Sequence, residues 1–228
     1  MAFVEFKTGV IRPVEVYKEA WEMIKGQFGM VLAVTFVGLL IGGTVPIVLV
    51  GPMMCGIYLV LFQVFEGRTV DFAMLFKGFD YFLPSLILAV IIMVPAFILI
   101  FSIYIPMIAI SIAGQRMSES EVIAAIAGFL VVEIIIAFFM VCLHTLLLFA
   151  FPLIVDRKLS AIDAIKTSAR AVWQNMSGVV GLMVVGMGVA FVGYLMLCIG
   201  IYLVLPLIIA ANLVAYRKVF PAVHGFSG

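Results

Sequence analysis

Four apolar runs, Phe28 to Phe65, Tyr81 to Gly114, Val122 to Val155 and Met176 to Tyr216, take up most of this 228-residue chain and decide what it can fold into. A helix needs about 20 residues to cross the hydrocarbon layer of a bilayer, roughly 30 Å thick. The first and last runs are about twice that length, so each fits two spans joined by a tight turn. The middle runs hold 34 residues each, too many for one upright span and too few for a comfortable hairpin. Each of these reads as one long helix, tilted or broken, with an interfacial extension. The expected fold class is therefore all-α, a six-span transmembrane helical bundle forming a single transmembrane domain over residues 1–228.

Composition supports this. Hydrophobic residues make up 66% of the chain, and the 13 basic and 12 acidic residues are too few to coat a water-soluble globule of this size, whose surface would be about a quarter charged. No polar stretch is long enough to be a soluble domain. The segment Met1 to Val10 carries Glu5 and Lys7 and runs into an amphipathic stretch, so the first membrane helix is expected to be the insertion signal, with no cleaved leader. Cys55, Cys142 and Cys198 lie in apolar runs without CxxC spacing. They are expected to be small apolar side chains, not disulfides or metal ligands.

Six spans place Met1 to Gln27, Glu66 to Asp80, Asp156 to Asn175 and Arg217 to Gly228 on one side. Those segments hold every lysine and arginine except Arg116, which predicts that both termini are cytoplasmic. On the opposite side, Gly42, Gly43 and Pro46, followed by Gly51 and Pro52, offer a turn and a helix start after Ile41. Gly193 and Gly200 bracket the last reversal. Between the central runs, Gly114 to Glu121 is the only polar external segment, and Ser118 with Glu121 forms a capping box that starts a helix at Glu119.

The cytoplasmic segments carry amphipathic patterns. From Pro13 to Lys25, Val14, Tyr17, Trp21 and Ile24 fall on one helical face, with Glu15, Lys18, Glu19, Glu22 and Lys25 on the other. From Asp71 to Phe79, Phe72, Leu75 and Phe79 oppose Lys77. After a capping box of Ser160 and Asp163, Ile162, Ile165, Ala169, Val172 and Met176 line one side and Lys166 with Arg170 the other. Such helices lie in the membrane plane; the competing reading makes each the exposed end of the span that follows.

Each amphipathic stretch precedes a pair of spans, so the chain reads as three parallel repeat units, 12–68, 69–155 and 156–218. An offset of 149 residues lays Ala20 on Ala169, Gly29 on Gly178, Val31 on Val180, Gly51 on Gly200 and Arg68 on Arg217, with Gln63 on Asn212. An offset of 52 lays Lys25-Gly26 on Lys77-Gly78. The order of elements argues for repetition more strongly than these identities do.

Three short stretches carry a resemblance: Val50-Gly51-Pro52-Met53 with Gly56 and Tyr58, Leu75-Phe76-Lys77-Gly78-Phe79, and Phe151-Pro152-Leu153-Ile154-Val155-Asp156 leading into Ala161 to Trp173. With them the chain resembles, over nearly its whole length, a group of bacterial polytopic integral membrane proteins related to the membrane domain of glycerophosphodiester phosphodiesterases. The resemblance implies a multi-pass protein of the bacterial inner membrane. In such enzymes the phosphodiester chemistry resides in a separate soluble domain, and none is expected in this chain.

Glu133 stands inside an apolar run, about 21 Å of helix rise beyond Glu119. A carboxylate near mid-bilayer costs about 3 kcal/mol on insertion scales, so it should face protein, water or a partner. His144 follows after three turns plus about 20°, on nearly the same face and about 16 Å along. Together they are a candidate intramembrane polar site, to which Tyr104, Ser111, Gln63, Thr145 or Tyr202 could add; the plainer reading is a pair of hydrogen-bonded buried groups. Pro95, Pro106, Pro152 and Pro206 predict kinks, and the glycine rows Gly42-Gly43, Gly178-Gly181 and Gly186-Gly188-Gly193 predict close helix contacts.

No catalytic residues are expected: HExxH, GxSxG, a phosphate loop and clustered aspartates are missing from the sequence, and His224 lies in the tail. No metal site or cofactor is expected, and the near balance of charge argues against nucleic acid. The densest cationic cluster, Arg157, Lys158, Lys166 and Arg170, points to anionic lipid headgroups as partners. Three readings of function follow. The favoured one is a non-enzymatic membrane protein that organises lipid or serves as a structural or accessory subunit of a membrane complex, with partner membrane subunits. The others are a small-molecule or ion transporter using Glu133 and His144, and the membrane module of an enzyme.

Overall fold

The computed structural model describes residues 4–113, 116–196 and 199–222, and they form helices with no strand among them. Gly114, Cys198 and His224, named above, lie outside the described residues. In order, the helices are α1 (Pro13–Lys25), α2 (Phe28–Thr44), α3 (Pro46–Phe65), a 3-10 helix (Phe72–Tyr81), α4 (Phe82–Ala113), α5 (Glu119–Leu146), α6 (Ala150–Arg157), α7 (Ala161–Gln174), α8 (Met176–Leu195) and α9 (Ile199–Val219). Five helical segments are long and apolar enough to cross a membrane: α3, the 3-10 helix with α4, α5 with α6, α8 and α9. A sixth is reached if α1 and α2, bent by 100° at the break between them, are taken together as one span. The chain is an all-α, multi-pass membrane protein.

Local chemistry sets most of the boundaries. The Ser118 amide donates to Glu121 Oε2 at 2.7 Å, and α5 starts at Glu119. The Asp163 amide donates to Ser160 Oγ at 3.2 Å, and α7 starts at Ala161. The turn between α2 and α3 differs from the expectation. Gly42 and Gly43 remain inside α2, the reversal falls on Val45, Pro46 opens α3, and Gly51 and Pro52 are interior to α3. Gly51 is needed there for packing, since a Cβ on it would overlap the Ser85 carbonyl.

The chain divides into two compact units. The larger holds the residues up to Ala89 and those from Leu146 onward; the smaller is Val90–Thr145. In the larger unit α3 is central, and Met53, Cys55, Ile57, Tyr58, Val60 and Leu61 are all buried. The 3-10 helix crosses α3 at backbone distance: a Cβ on Gly56 would overlap the Leu75 carbonyl, and one on Gly78 would overlap the Pro52 carbonyl. Beside them Phe149, Tyr216 and Phe220 form an aromatic cluster with centroids 5.1 to 6.3 Å apart.

Two amide side chains secure the elbows between amphipathic helices and spans. At the α1–α2 elbow, Gln27 Nε2 donates to the Arg68 carbonyl at 3.0 Å and Oε1 accepts from the Val70 amide at 2.7 Å. At the α7–α8 elbow, Asn175 Nδ2 donates to the Lys7 carbonyl at 3.1 Å and Oδ1 accepts from the Gly9 amide at 2.8 Å. Where the 3-10 helix meets α4, the Tyr81 hydroxyl donates to the Val155 carbonyl at 3.3 Å.

In the smaller unit, half-buried positions recur at helical spacing. They include Ile92, Pro95, Leu99, Ser102, Pro106 and Ile110 on α4, where Ile91, Met93, Ala96 and Phe97 are half-buried as well, and Val122, Ala125, Phe129, Glu133, Ile136, Met140 and Leu143, beside Cys142, on α5. The other positions of α4 beyond Phe97 and of α5 up to Val141 are exposed and mostly apolar, as a lipid-facing surface requires.

Candidate functional site

Helix α7 shows how packing selects the face left exposed. Its inner face is made of small residues, with Ala161, Ala164, Ser168, Ala171 and Val172 buried. Ser168 fixes that face to the break between α5 and α6, its hydroxyl donating to the Leu146 carbonyl at 2.7 Å and accepting from the Phe149 amide at 3.1 Å. Ile162, Lys166, Arg170 and Trp173 remain exposed, the tryptophan at 71%. At 100° per residue those four share an arc of about 80°. Lys166 and Arg170 have no ion-pair partner among the described residues.

This corrects the predicted face. Ile162 does not join Val172 on one apolar side. The helix has a protein side of alanine and serine and a separate outward side on which isoleucine and tryptophan adjoin the two cations. Periodicity could not separate these sides, because small residues and large apolar residues both count as apolar.

Helix α1 repeats the arrangement. Val16, Tyr17, Ala20 and Ile24 are buried in the protein, while Val14 and Trp21 are 57% and 44% exposed. The buried face is therefore rotated from the expected row of Val14, Tyr17, Trp21 and Ile24, because α8 and α9 pack against it. Trp21 and Val14 share an arc of about 60° with exposed Lys18 and Lys25. Lys25 is ion-paired with Glu22.

The third amphipathic stretch is a 3-10 helix, not an α-helix, and this moves its residues. With three residues per turn the inward row is Phe72, Leu75 and Gly78; Leu75 and Gly78 are buried, and Phe79 turns outward with Phe76 and Lys77. Two spans separate each of these elements from the next, so all three belong to the same end of the spans.

Arg157 does not stand with the other cations. Asp156 Oδ1 lies 2.9 Å from Arg217 Nη2, and Oδ2 accepts from the Tyr216 hydroxyl at 2.6 Å. Arg157 Nε lies 2.9 Å from the same Oδ2 without hydrogen-bond alignment, and Arg157 Nη2 donates to the Pro221 carbonyl at 2.5 Å. The Arg217 guanidinium stacks 4.4 Å from the Phe62 ring centroid. Arg157 thus belongs to a largely buried ionic cluster joining α6 to α9. Lys158 is exposed in the left-handed conformation (φ 52°) that ends α6.

Glu133 and His144 are not brought together. Both Glu133 carboxylate oxygens are shut off from the surface and have no hydrogen-bond partner among the described residues. His144 is exposed, with Nδ1 2.9 Å from its own helix's Met140 carbonyl. Tyr104 and Tyr202 are more than half exposed on the outer surface. Gln63 is buried, and its Oε1 has no hydrogen-bond partner among the described residues. No group of three histidine, cysteine or acidic side chains is placed to hold a metal among the described residues. Cys55 is buried and unpaired, and Cys142 is unpaired and partly covered.

The sequence reading missed Asn175 and Asp156 as organising residues. A polar amide between an amphipathic helix and an apolar run was a usable signal for Asn175; the pairing of Asp156 with Tyr216 and Arg217, 60 residues away and more, left none. No family model matches the chain, and no curated protein or solved structure matches it significantly.

Proposed function

We propose that this protein is a non-enzymatic inner-membrane protein that gathers anionic lipid at the cytoplasmic leaflet, as an organiser of lipid or an accessory subunit of a membrane complex. The observation that carries the reading is the outward arc of α7, where exposed Trp173 and Ile162 adjoin Lys166 and Arg170. An apolar edge beside unpaired cations suits the boundary between headgroups and acyl chains. Each cation near an anionic surface contributes on the order of 1 kcal/mol. Val14, Trp21 and Lys18 on α1, and Phe76, Phe79 and Lys77 on the 3-10 helix, extend the same chemistry to the two other elements at that end of the spans.

The cytoplasmic orientation rests on the charge asymmetry, and the resemblance to phosphodiesterase membrane domains agrees with work at a lipid surface. The test is the lipid that accompanies the purified protein. Lys166→Glu with Arg170→Glu should lower the anionic fraction severalfold in a protein that still folds. An unchanged fraction would overturn the reading.

A further inference from the structure

We propose that a groove between α8 and α9 holds the ester end of a glycerolipid acyl chain, with the Tyr17 hydroxyl and the Asn212 amide donating to an ester carbonyl. The groove has a volume of about 270 Å³. Its walls are the face of α8 that carries Leu182, Gly186 and Met187 and the face of α9 that carries Ile208 and Asn212, one turn apart. Met187 is 70% exposed on a helix long and apolar enough to cross the membrane, so the groove opens onto acyl chains and not onto water. Asn212 stands five residues before Arg217, about 7.5 Å of helix rise, which sets it just inside the cationic end of the span.

Two polar side chains stand in this apolar lining. Helix α1 packs on α8 and α9 and contributes Tyr17, whose hydroxyl reaches α8 so closely that a Cβ on Gly186 would lie 2.6 Å from its oxygen. Tyr17 is 8% exposed. Neither its hydroxyl nor the Asn212 side chain has a hydrogen-bond partner among the described residues. Donors left unpaired in a water-poor region cost free energy until a ligand accepts from them. The described residues that line the groove carry no charge, so it matches a neutral acceptor and not a phosphate or an ammonium group. Every ester-linked glycerolipid carries such an acceptor at the root of each chain, and a hydroxyl and an amide N–H both donate to a carbonyl. The volume falls below the range of about 300 to 1,000 Å³ that encloses a whole drug-sized ligand, so one ester and the start of its chain enter and the headgroup stays outside. Recognition of the ester is independent of headgroup charge and does not rest on the lipid arc of α7.

Native mass spectrometry of the delipidated full-length protein tests the assignment by comparing ester-linked phosphatidylcholine with its ether-linked analogue, which keeps the headgroup and chains and lacks the carbonyls. The wild type should bind the ester lipid about fivefold more tightly, the worth of one net hydrogen bond. Tyr17→Phe with Asn212→Leu should bind the two lipids alike. Lys166→Glu with Arg170→Glu should keep the wild-type preference, because phosphatidylcholine has no net charge. Equal binding of the two lipids by the wild type would overturn the proposal, as would an undiminished preference without the two donors or a preference lost on reversing the two cations. If the variant lacking both donors does not fold, Tyr17→Phe alone decides: a reduced preference supports the site and the wild-type preference refutes it.

Discussion

Gln27 and Asn175 do the same work at two elbows of the chain. Each is the residue before a span, and each uses its amide to bracket a passing backbone, taking a carbonyl and the amide two residues later: Arg68 and Val70 for Gln27, Lys7 and Gly9 for Asn175. The bracketed stretch lies just ahead of an amphipathic element in both cases, the 3-10 helix for Gln27 and α1 for Asn175. Tyr81, at the remaining elbow, bonds the Val155 carbonyl ahead of α7. Each elbow thus holds a stretch of backbone that lies far from it in the sequence.

Removing an amide should therefore loosen an elbow. Asn175 is buried and also donates to the Ala171 carbonyl at 2.9 Å. Asn175→Ala strands several backbone groups and should cost about 2 to 3 kcal/mol. Gln27→Ala, whose bond to Arg68 is exposed, should cost about 1 kcal/mol. The elbows share no partner, so the double variant should show the sum in detergent thermal melts. A double variant no less stable than Asn175→Ala alone would count against independent joints.

The crossing of α3 by the 3-10 helix allows no side chain at two positions. Gly56→Ala and Gly78→Ala each set a methyl group against backbone atoms that cannot move independently. Both should abolish the monodisperse peak in size-exclusion chromatography. Gly128→Ala, with open space around its Cβ position, should behave as the wild type, and equal behaviour of all three would refute the crossing.

Asp156 is ion-paired with two arginines at once. Their side chains are 11% and 15% exposed, for Arg217 and Arg157, so Asp156→Ala leaves two largely buried cations facing each other and should cost about 3 kcal/mol. Adding Arg217→Met should restore part of that loss, since one uncompensated charge disappears. A double variant less stable than Asp156→Ala would show that Arg217 stabilises chiefly through its stacking on Phe62.

Orientation is open to chemical labelling. In a background without native cysteines, a cysteine at Ser118 should react with an impermeant maleimide added outside intact cells, and one at Ser160 should react only after the membrane is opened. The reverse pattern would invert the topology.

The spans and two helix starts were legible in the sequence because they depend on local signals: run length, and the capping boxes at Ser118 and Ser160. The facing of the amphipathic elements was not. For α7, pattern alone joined Ile162 to Val172, whereas the contact of Ser168 with the α5–α6 break rotates Ile162 outward. For Asp71 to Phe79, α-helical spacing placed Phe79 inward, and the tighter 3-10 turn imposed by the approach to Gly56 substitutes Gly78. Arg157 joined a lipid cluster on sequence proximity, but Asp156 and the Pro221 carbonyl draw it into the protein. Each difference arises from contacts distant in the chain.

The central claim, that the outward arc of α7 sits in anionic lipid, can be read from Trp173 itself. The chain has two tryptophans, so Trp21→Phe leaves Trp173 as the only reporter. In bilayers containing lipids brominated high on the acyl chain, its fluorescence should be quenched more strongly when the brominated lipid is phosphatidylglycerol than when it is phosphatidylcholine at the same mole fraction. Adding Lys166→Glu and Arg170→Glu should remove that preference. Equal quenching by the two lipids before the charge reversal, or no quenching at all, would contradict the account.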